Sequence, residues 1–512
     1  MRAVFILIDS LNRHFLGCYG AAEAAHTPNL DRLAARAVRF DQHWCGSSPC
    51  MPARRDIMTG RLNFMERPWG GIEPFDHTLP ALLREHNVFT HLETDHFHYA
   101  ERGGENYWAH FTSWKLHRGA EHDTLYWHPD QTGIPSVEKP QEYHGLYAPW
   151  YEKTRENYAG DWTKYSTPRT FASAAGWLER NHDADHFMLW VEGFDPHEPF
   201  DVPEAFLDQY PMEGEAPAAY WPDYEPAAAY SEEELRGFRR RYRALVSMTD
   251  RALGGLLDTF DRNNMWENTL VILTTDHGYL LGEHGYMAKC YMPDYTEVHH
   301  IPLLIAAPGV APGQCAALTE NIDIFPTMLD WFGVPRAACR NPIHGQSLLP
   351  LLHGGGARRE ELLFGVFGKT VSVFDGRYLY QRARVREDNT PLYIYGAQMS
   401  VLNAFIGYDT MNADEIGRIE MGRFLPWTNY PVYRVAANDC HWNNNGSGFA
   451  IVNQEINGHK LYDLEADPAQ EHPLDDTALE AWMTGKLLRA MKRHDAPADQ
   501  YIRLGLAEQE VL

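Results

Sequence analysis

"AVFILID", residues 3–9, is an uninterrupted apolar run of strand length that stops at an aspartate. A strand that is apolar at every position is buried on both faces, the habit of a parallel strand sandwiched between layers of helix. The next segment agrees with that reading. "TPNLDRLAARAVRF" (27–40) places Leu30, Leu33, Ala34 and Ala37 at helical spacing, with Thr27 as cap and Pro28 in the first turn. The strand texture returns in "NVFTHLETD" (87–95), "HFMLWVEGFD" (186–195), "TLVILTTD" (269–276) and "IPLLIAAPG" (301–309), and a long helical pattern covers 238–260. This alternation predicts an α/β domain with a large doubly wound sheet and helices on both faces.

The chain has 512 residues, 44% of them hydrophobic and 22% charged, so it can bury a sizeable core. Residues 107–165 interrupt the rhythm with Trp, Tyr, His and Pro and read as an insertion bordering the site or an interface. Beyond "GGGARREE" (354–361), alternating runs such as "TVSVFDGRYLYQ" and "GHKLYDLEADP" predict an antiparallel sheet. The expected division is a larger α/β domain over 1–355, with the insertion at 107–165, and a smaller C-terminal subdomain over 356–512. A formal net charge of −25 argues against nucleic acid as a partner. No segment reaches the roughly 20 apolar residues of a membrane span. The six-residue apolar run before Asp9 is too short for a secretory signal, and seven scattered cysteines do not form a disulfide framework. A cytoplasmic location is the expectation.

Several strand-like runs end in groups that bind metals or move protons. Asp9 closes the first, His96 and His98 follow the second, Asp195 and His197 the third, and Asp276-His277 the fourth. In an open α/β sheet these ends share one crevice. Singly, such an aspartate is usually a cap and such a histidine a core residue; their joint occurrence carries the reading. The missing nucleophile lies in "GSSPCMPARRDIMTGR" (46–61). Pro52 fits a first helical turn, which sets Cys50 at a helix N-terminus where free N–H groups favour anions, and Arg54 falls one turn on. Cys50 reads either as a buried structural thiol or as a thiolate nucleophile. The Cys-x5-Arg loop of cysteine phosphatases is absent, because residue 56 is Asp.

A third reading comes from resemblance. "CMPARRDIMTG" (50–60) resembles the Cys-x-Pro-x-Arg signature of type I sulfatases. "IDSLNRHFLGCYG", "TPNLDRLA", "DPHEPF", "TTDHGYLLGEHG" with Lys289, "NIDIFPTMLD" and "LYDLEADP" resemble further landmarks of that family, in order along the chain. The resemblance implies an alkaline-phosphatase-like α/β fold, a doubly wound mixed sheet sandwiched by helices with a smaller C-terminal α+β subdomain. It implies that Cys50 is oxidised to formylglycine by a formylglycine-generating enzyme and that the hydrated aldehyde is the nucleophile. Asp9, Asp276, His277 and modified Cys50 would hold one divalent cation. Arg54 would stabilise the hydrate and Lys289 would hold a sulfate oxygen. His98 would deprotonate the covalent intermediate and His197 would serve the leaving oxygen. His96, where many relatives carry lysine, joins Lys289 and His197 in substrate binding.

Many relatives have a second aspartate after Asp9. Here the position is Ser10, which leaves that ligand open between Ser10, Asn12 and water. His277 stands where calcium sulfatases commonly have Asn and tilts the ion from Ca²⁺ towards Mn²⁺ or Zn²⁺. The implied reaction is hydrolysis of a small-molecule or saccharide sulfate monoester, aryl or carbohydrate. The alternatives are a phosphonate monoester or phosphodiester hydrolase with the same nucleophile, and a non-catalytic binder of sulfated ligands. Oligomeric state stays open, with the insertion and the C-terminal region as contact surfaces for a homo-oligomer.

Overall fold

The computed structural model describes residues 1–101, 103–126, 143–214, 219–356, 359–401, 404–408, 410–441 and 458–506. The chain opens with β1 (Arg2–Ile8), α1 (Pro28–Ala34) and β2 (Val38–Phe40). A two-residue strand, β3 (Ser47–Ser48), leads into helix α2 (Cys50–Thr59). There follow β4 (Phe89–Thr94), β5 (Ser113–Leu116), α3 (Ser166–Asn181) and β6 (Phe187–Gly193). The long helix α4 (Glu232–Arg262) precedes β7 (Thr269–Thr274), β8 (Leu303–Ala306) and β9 (Gly313–Cys315). The C-terminal part contributes β10 (Leu362–Val366), β11 (Val371–Phe374), β12 (Tyr378–Arg382), β13 (Lys460–Asp463) and α5 (Thr477–Arg493).

The main sheet has eight strands in the order β9-β2-β8-β7-β1-β6-β4-β5. Only β8 runs against its neighbours, so the sheet is mixed. β1 lies at the centre, parallel to β6 and β7 on either side. Its side chains alternate between two cores: Val4, Ile6 and Ile8 meet residues of α1, α3 and α4, while Ala3, Phe5 and Leu7 meet residues of α2. This double burial is what the unbroken apolar run at 3–8 requires.

One expectation is corrected locally. The helical pattern at 27–40 holds only to Ala34, and Val38–Phe40 is β2, because pairing beside β8 and β9 outweighs the helical spacing. The aperiodic segment 107–165 supplies the edge strand β5, whose Trp114 stacks on Trp108 at 4.6 Å, and a helix over Tyr143–Tyr158. Trp127 and Asn445-Gly446-Ser447 lie outside the described residues.

The second sheet, β13-β12-β11-β10-β3, is antiparallel among its C-terminal strands. It is completed by β3, which pairs parallel to β10 through Gly365↔Ser47 and Val366↔Ser48. The chain therefore enters α2 from a strand clamped by C-terminal residues. Buried Asp56 fastens this entry: it accepts from Ser47 N at 2.6 Å, Ser47 Oγ at 2.8 Å and Asn63 Nδ2 at 2.7 Å. Gly60, at φ +68°, then ends α2 in a left-handed turn against Phe325.

Asp56→Ala strands these buried donors, each worth about 1–3 kcal/mol when left unsatisfied. We expect a loss of about 3 kcal/mol or more in denaturant unfolding. A change below about 0.5 kcal/mol would contradict the role given to Asp56.

Candidate active site

Because β1, β6 and β7 are parallel neighbours, their carboxyl ends share one edge of the sheet. Asp9 follows β1, Glu192 lies near the end of β6, and Asp276 follows β7. Arg54, on the first turns of α2, reaches all three. Its Nε donates to Glu192 at 2.6 Å, Nη1 to Asp276 at 2.6 Å and Nη2 to Asp9 at 2.8 Å, with all four side chains fully buried. Nη1 also donates to the Cys50 carbonyl at 3.1 Å. Burial opposes the guanidinium charge, but the three carboxylates outweigh it and hold the Arg54 pKa well above its ordinary value.

One guanidinium against three carboxylates leaves an excess of negative charge. Burial, then Asp276, pushes the Asp9 carboxyl up to about 7, against Arg54 and Lys289. Burial acts on Asp276 in the same direction, yet His277, Arg54 and Lys289 outweigh it and hold that carboxyl below the usual range. Ser10 has φ +57°, a left-handed conformation uncommon for a residue with a side chain, and its N–H donates to Asp276 at 3.0 Å.

Cys50 Sγ lies 3.1 Å from His277 Nε2 and 3.4 Å from Lys289 Nζ. His277 Nδ1 lies 2.8 Å from the Gly278 carbonyl, which makes Nδ1 the protonated nitrogen and turns the Nε2 lone pair towards Cys50 and Asp276. Burial lowers the His277 pKa to about 3, against the pull of Asp276, so the ring is neutral. Burial, then Asp9, drives the Cys50 thiol well above its ordinary pKa despite Lys289 and Arg54. Such a setting disfavours a free thiolate. Gly278 is required by space, since a Cβ there would meet the Glu297 carbonyl at 1.9 Å.

Lys289 also donates to Ser10 Oγ at 3.1 Å, and Ser10 Oγ donates to Asp9 at 2.8 Å. The Asn12 side chain is committed elsewhere: its amide donates to the Tyr279 carbonyl at 2.8 Å and its oxygen accepts from His14 N. Among the candidates beside Asp9, Ser10 is the one in the cluster.

The histidines separate into distinct settings. His96 Nδ1 is 3.6 Å from Asp9, and burial followed by Arg54 keeps its ring neutral. His98 stands between Glu101, 3.0 Å from Nδ1, and Glu121, 3.5 Å from Nε2. Burial would lower the His98 pKa, but the two carboxylates outweigh it and raise it. His197 Nδ1 is 2.6 Å from the Glu198 carbonyl, and burial takes its pKa down to about 4, partly countered by Glu198. His299 pairs with Asp294 at 3.1 Å and His300 stacks on Trp44 at 4.5 Å.

Glu192 escaped the sequence reading, although a lone acid inside "FMLWVEGF" was a signal that the strand carries a charge it must neutralise in the interior. Glu101 stands three residues from His98, a spacing the sequence reading passed over, while Glu121 gave no signal because it reaches His98 from a separate loop. Donor atoms of Asp9, Cys50, Asp276 and His277 all lie within 4.8 Å of one another, and all four residues are buried. Two carboxylates, a neutral imidazole with its lone pair turned inward and unneutralised negative charge fit a divalent cation.

The sulfatase family profile matches residues 2–334. Choline-sulfatase of Rhizobium meliloti (strain 1021) is 28% identical over 412 residues, 74% of this chain and 77% of its own. Arylsulfatase K of Canis lupus familiaris is 24% identical over 361 residues, 68% of this chain and 65% of its own. The crystal structure of a phosphonate monoester hydrolase of Agrobacterium radiobacter superposes with a TM-score of 0.64 at 19% identity, covering 96% of each chain. That likeness shows the alkaline-phosphatase-like α/β fold. The chain belongs to the sulfatase family, hydrolases of sulfuric esters.

Proposed function

We propose that sulfate-ester hydrolysis runs here through residue 50, oxidised from cysteine to formylglycine, with one divalent cation held by Asp9, Asp276, His277 and residue 50. The observation that carries this reading is the placing of Cys50 Sγ 3.1 Å from the His277 lone pair and 3.4 Å from the Lys289 ammonium, in a setting hostile to a thiolate. When bound, the cation supplies Lewis-acid polarisation and offsets charge on the transferring group.

The chain's own groups supply the rest. One hydroxyl of the residue-50 hydrate gives its proton to Asp9 and attacks sulfur, breaking the bond from sulfur to the alcohol oxygen, while Lys289 neutralises a sulfate oxygen. Arg54 keeps the hydrate's backbone and the two carboxylates in place. His197 offers an acceptor at Nε2 in the resting state. An arriving sulfate adds negative charge beside it and favours the imidazolium, which protonates the leaving oxygen. His98, made more basic by Glu101 and Glu121, takes the proton of the second hydroxyl, and the aldehyde re-forms as sulfate departs. The substrate class is an aryl or saccharide sulfate, the kind of ester named for the relatives. The imidazole ligand His277 favours a second reading, a phosphonate monoester or phosphodiester hydrolase on the same nucleophile.

Turnover of 4-nitrophenyl sulfate and of bis(4-nitrophenyl) phosphate by the same preparation separates the two. We expect sulfate release to dominate and Cys50→Ala to abolish it. A faster phosphodiester rate would favour the second reading, and activity retained by Cys50→Ala would contradict both.

His98 must be neutral to accept a proton, so activity rises as pH rises through its pKa. Glu101 raises that pKa. In Glu101→Gln the acid limb of kcat should therefore move to lower pH, because His98 acts on the covalent intermediate. An unmoved limb would remove His98 from the base role.

A further inference from the structure

The hairpin between β10 and β11 carries a buried charge that the chemistry above does not use. Lys369 is 2% exposed, and its Nζ has no hydrogen-bond partner among the described residues. Its turn is closed by Lys369 N donating to the Val366 carbonyl at 3.0 Å. Since Val366 is in register with Ser48, this turn lies beside the entry to α2, where Cys50 begins the helix.

The turn is also firmly held. Asn389 Nδ2 donates to the Gly368 carbonyl at 2.7 Å and Arg503 Nη1 to the Lys369 carbonyl at 2.9 Å, from two further C-terminal segments. The next residues, Thr370 and Ser372, donate to Asp294 Oδ2 at 2.8 and 2.6 Å, and His299 takes Oδ1. Asp294 is thus engaged on both oxygens without meeting the ammonium. Burial lowers the Lys369 pKa to about 8, against the pull of Cys290 and Asp294, and Cys290 is the chain neighbour of Lys289. Cys290 cannot serve as counter-ion, because burial pushes its thiol up to about 12, against Lys289 and Lys369.

An unpaired buried ammonium is a cost to the fold. Here the turn that carries it is held in place by buried backbone hydrogen bonds, next to the loop that carries Lys289. Lys289 already answers the transferring sulfate.

We propose that Lys369 recognises a second anionic group, a carboxylate or a second sulfate, on the alcohol part of the ester. This rests on the reading of residue 50 as the reacting centre. It assigns substrate selection to a side chain from the C-terminal sheet and makes a singly charged ester the poorer substrate.

The test compares phenyl sulfates bearing a meta carboxylate, sulfonate or neutral carboxamide, in the wild type, Lys369→Met and Lys369→Arg. The wild type should prefer the anionic esters. Lys369→Met should cut that preference about tenfold or more, through KM, and Lys369→Arg should retain most of it. Whether carboxylate or sulfonate gains more identifies the anion. An unchanged preference, an equal fall on all three esters, or a lowered melting temperature with such an equal fall would overturn the proposal. Binding of the corresponding phenols, measured by calorimetry in the wild type and Lys369→Met, does not depend on turnover. If no ester is cleaved, the reading of residue 50 fails, while a loss of the anionic phenols' advantage in Lys369→Met still upholds the anion site and its persistence overturns it.

Discussion

The buried guanidinium of Arg54 ties the site together. It joins α2 to the ends of β1, β6 and β7 through Asp9, Glu192 and Asp276, all removed from water. In such surroundings a partly broken set is far costlier than an intact one, because each orphaned charge retains its desolvation penalty. One side chain therefore ties the ends of the three central strands to the helix that begins at Cys50. Burial, then Asp276, raises Asp9, and the set leaves negative charge over after Arg54 and Lys289 have been counted, which suits a divalent cation. Fold and chemistry share one electrostatic arrangement.

The C-terminal sheet is part of that arrangement. β3 completes its edge immediately before Cys50, and Asp294, five residues beyond Lys289, is gripped by the hydroxyls of Thr370 and Ser372. Gln381 and Gln470 also reach the Asp294 carbonyl. Both the nucleophile's helix and the lysine loop are thus braced by residues far along the chain.

Much of this was legible in the sequence, for identifiable reasons. The apolar runs at 3–8, 187–191 and 270–273 marked the central strands because burial on both faces leaves few polar positions in them. The ends of those strands marked the site because parallel strands place their carboxyl ends together. The Cys-x-Pro-x-Arg pattern was readable because its chemistry is local to one helix start. What was not legible depended on distance. The helical spacing at 27–40 concealed β2, whose existence depends on partners near residues 304 and 314. The left-handed Ser10, the approach of Glu121 to His98 and the isolation of Lys369 are products of tertiary packing. No local pattern announces them.

The account depends on residue 50 being an aldehyde in the working enzyme. Mass spectrometry of the peptide spanning residues 46–61, from protein produced in its native host and shown to release sulfate, addresses this directly. The account predicts a peptide lighter than the cysteine form by the difference between a thiol-bearing and an aldehyde-bearing side chain. An unmodified Cys50 in fully active protein would contradict it.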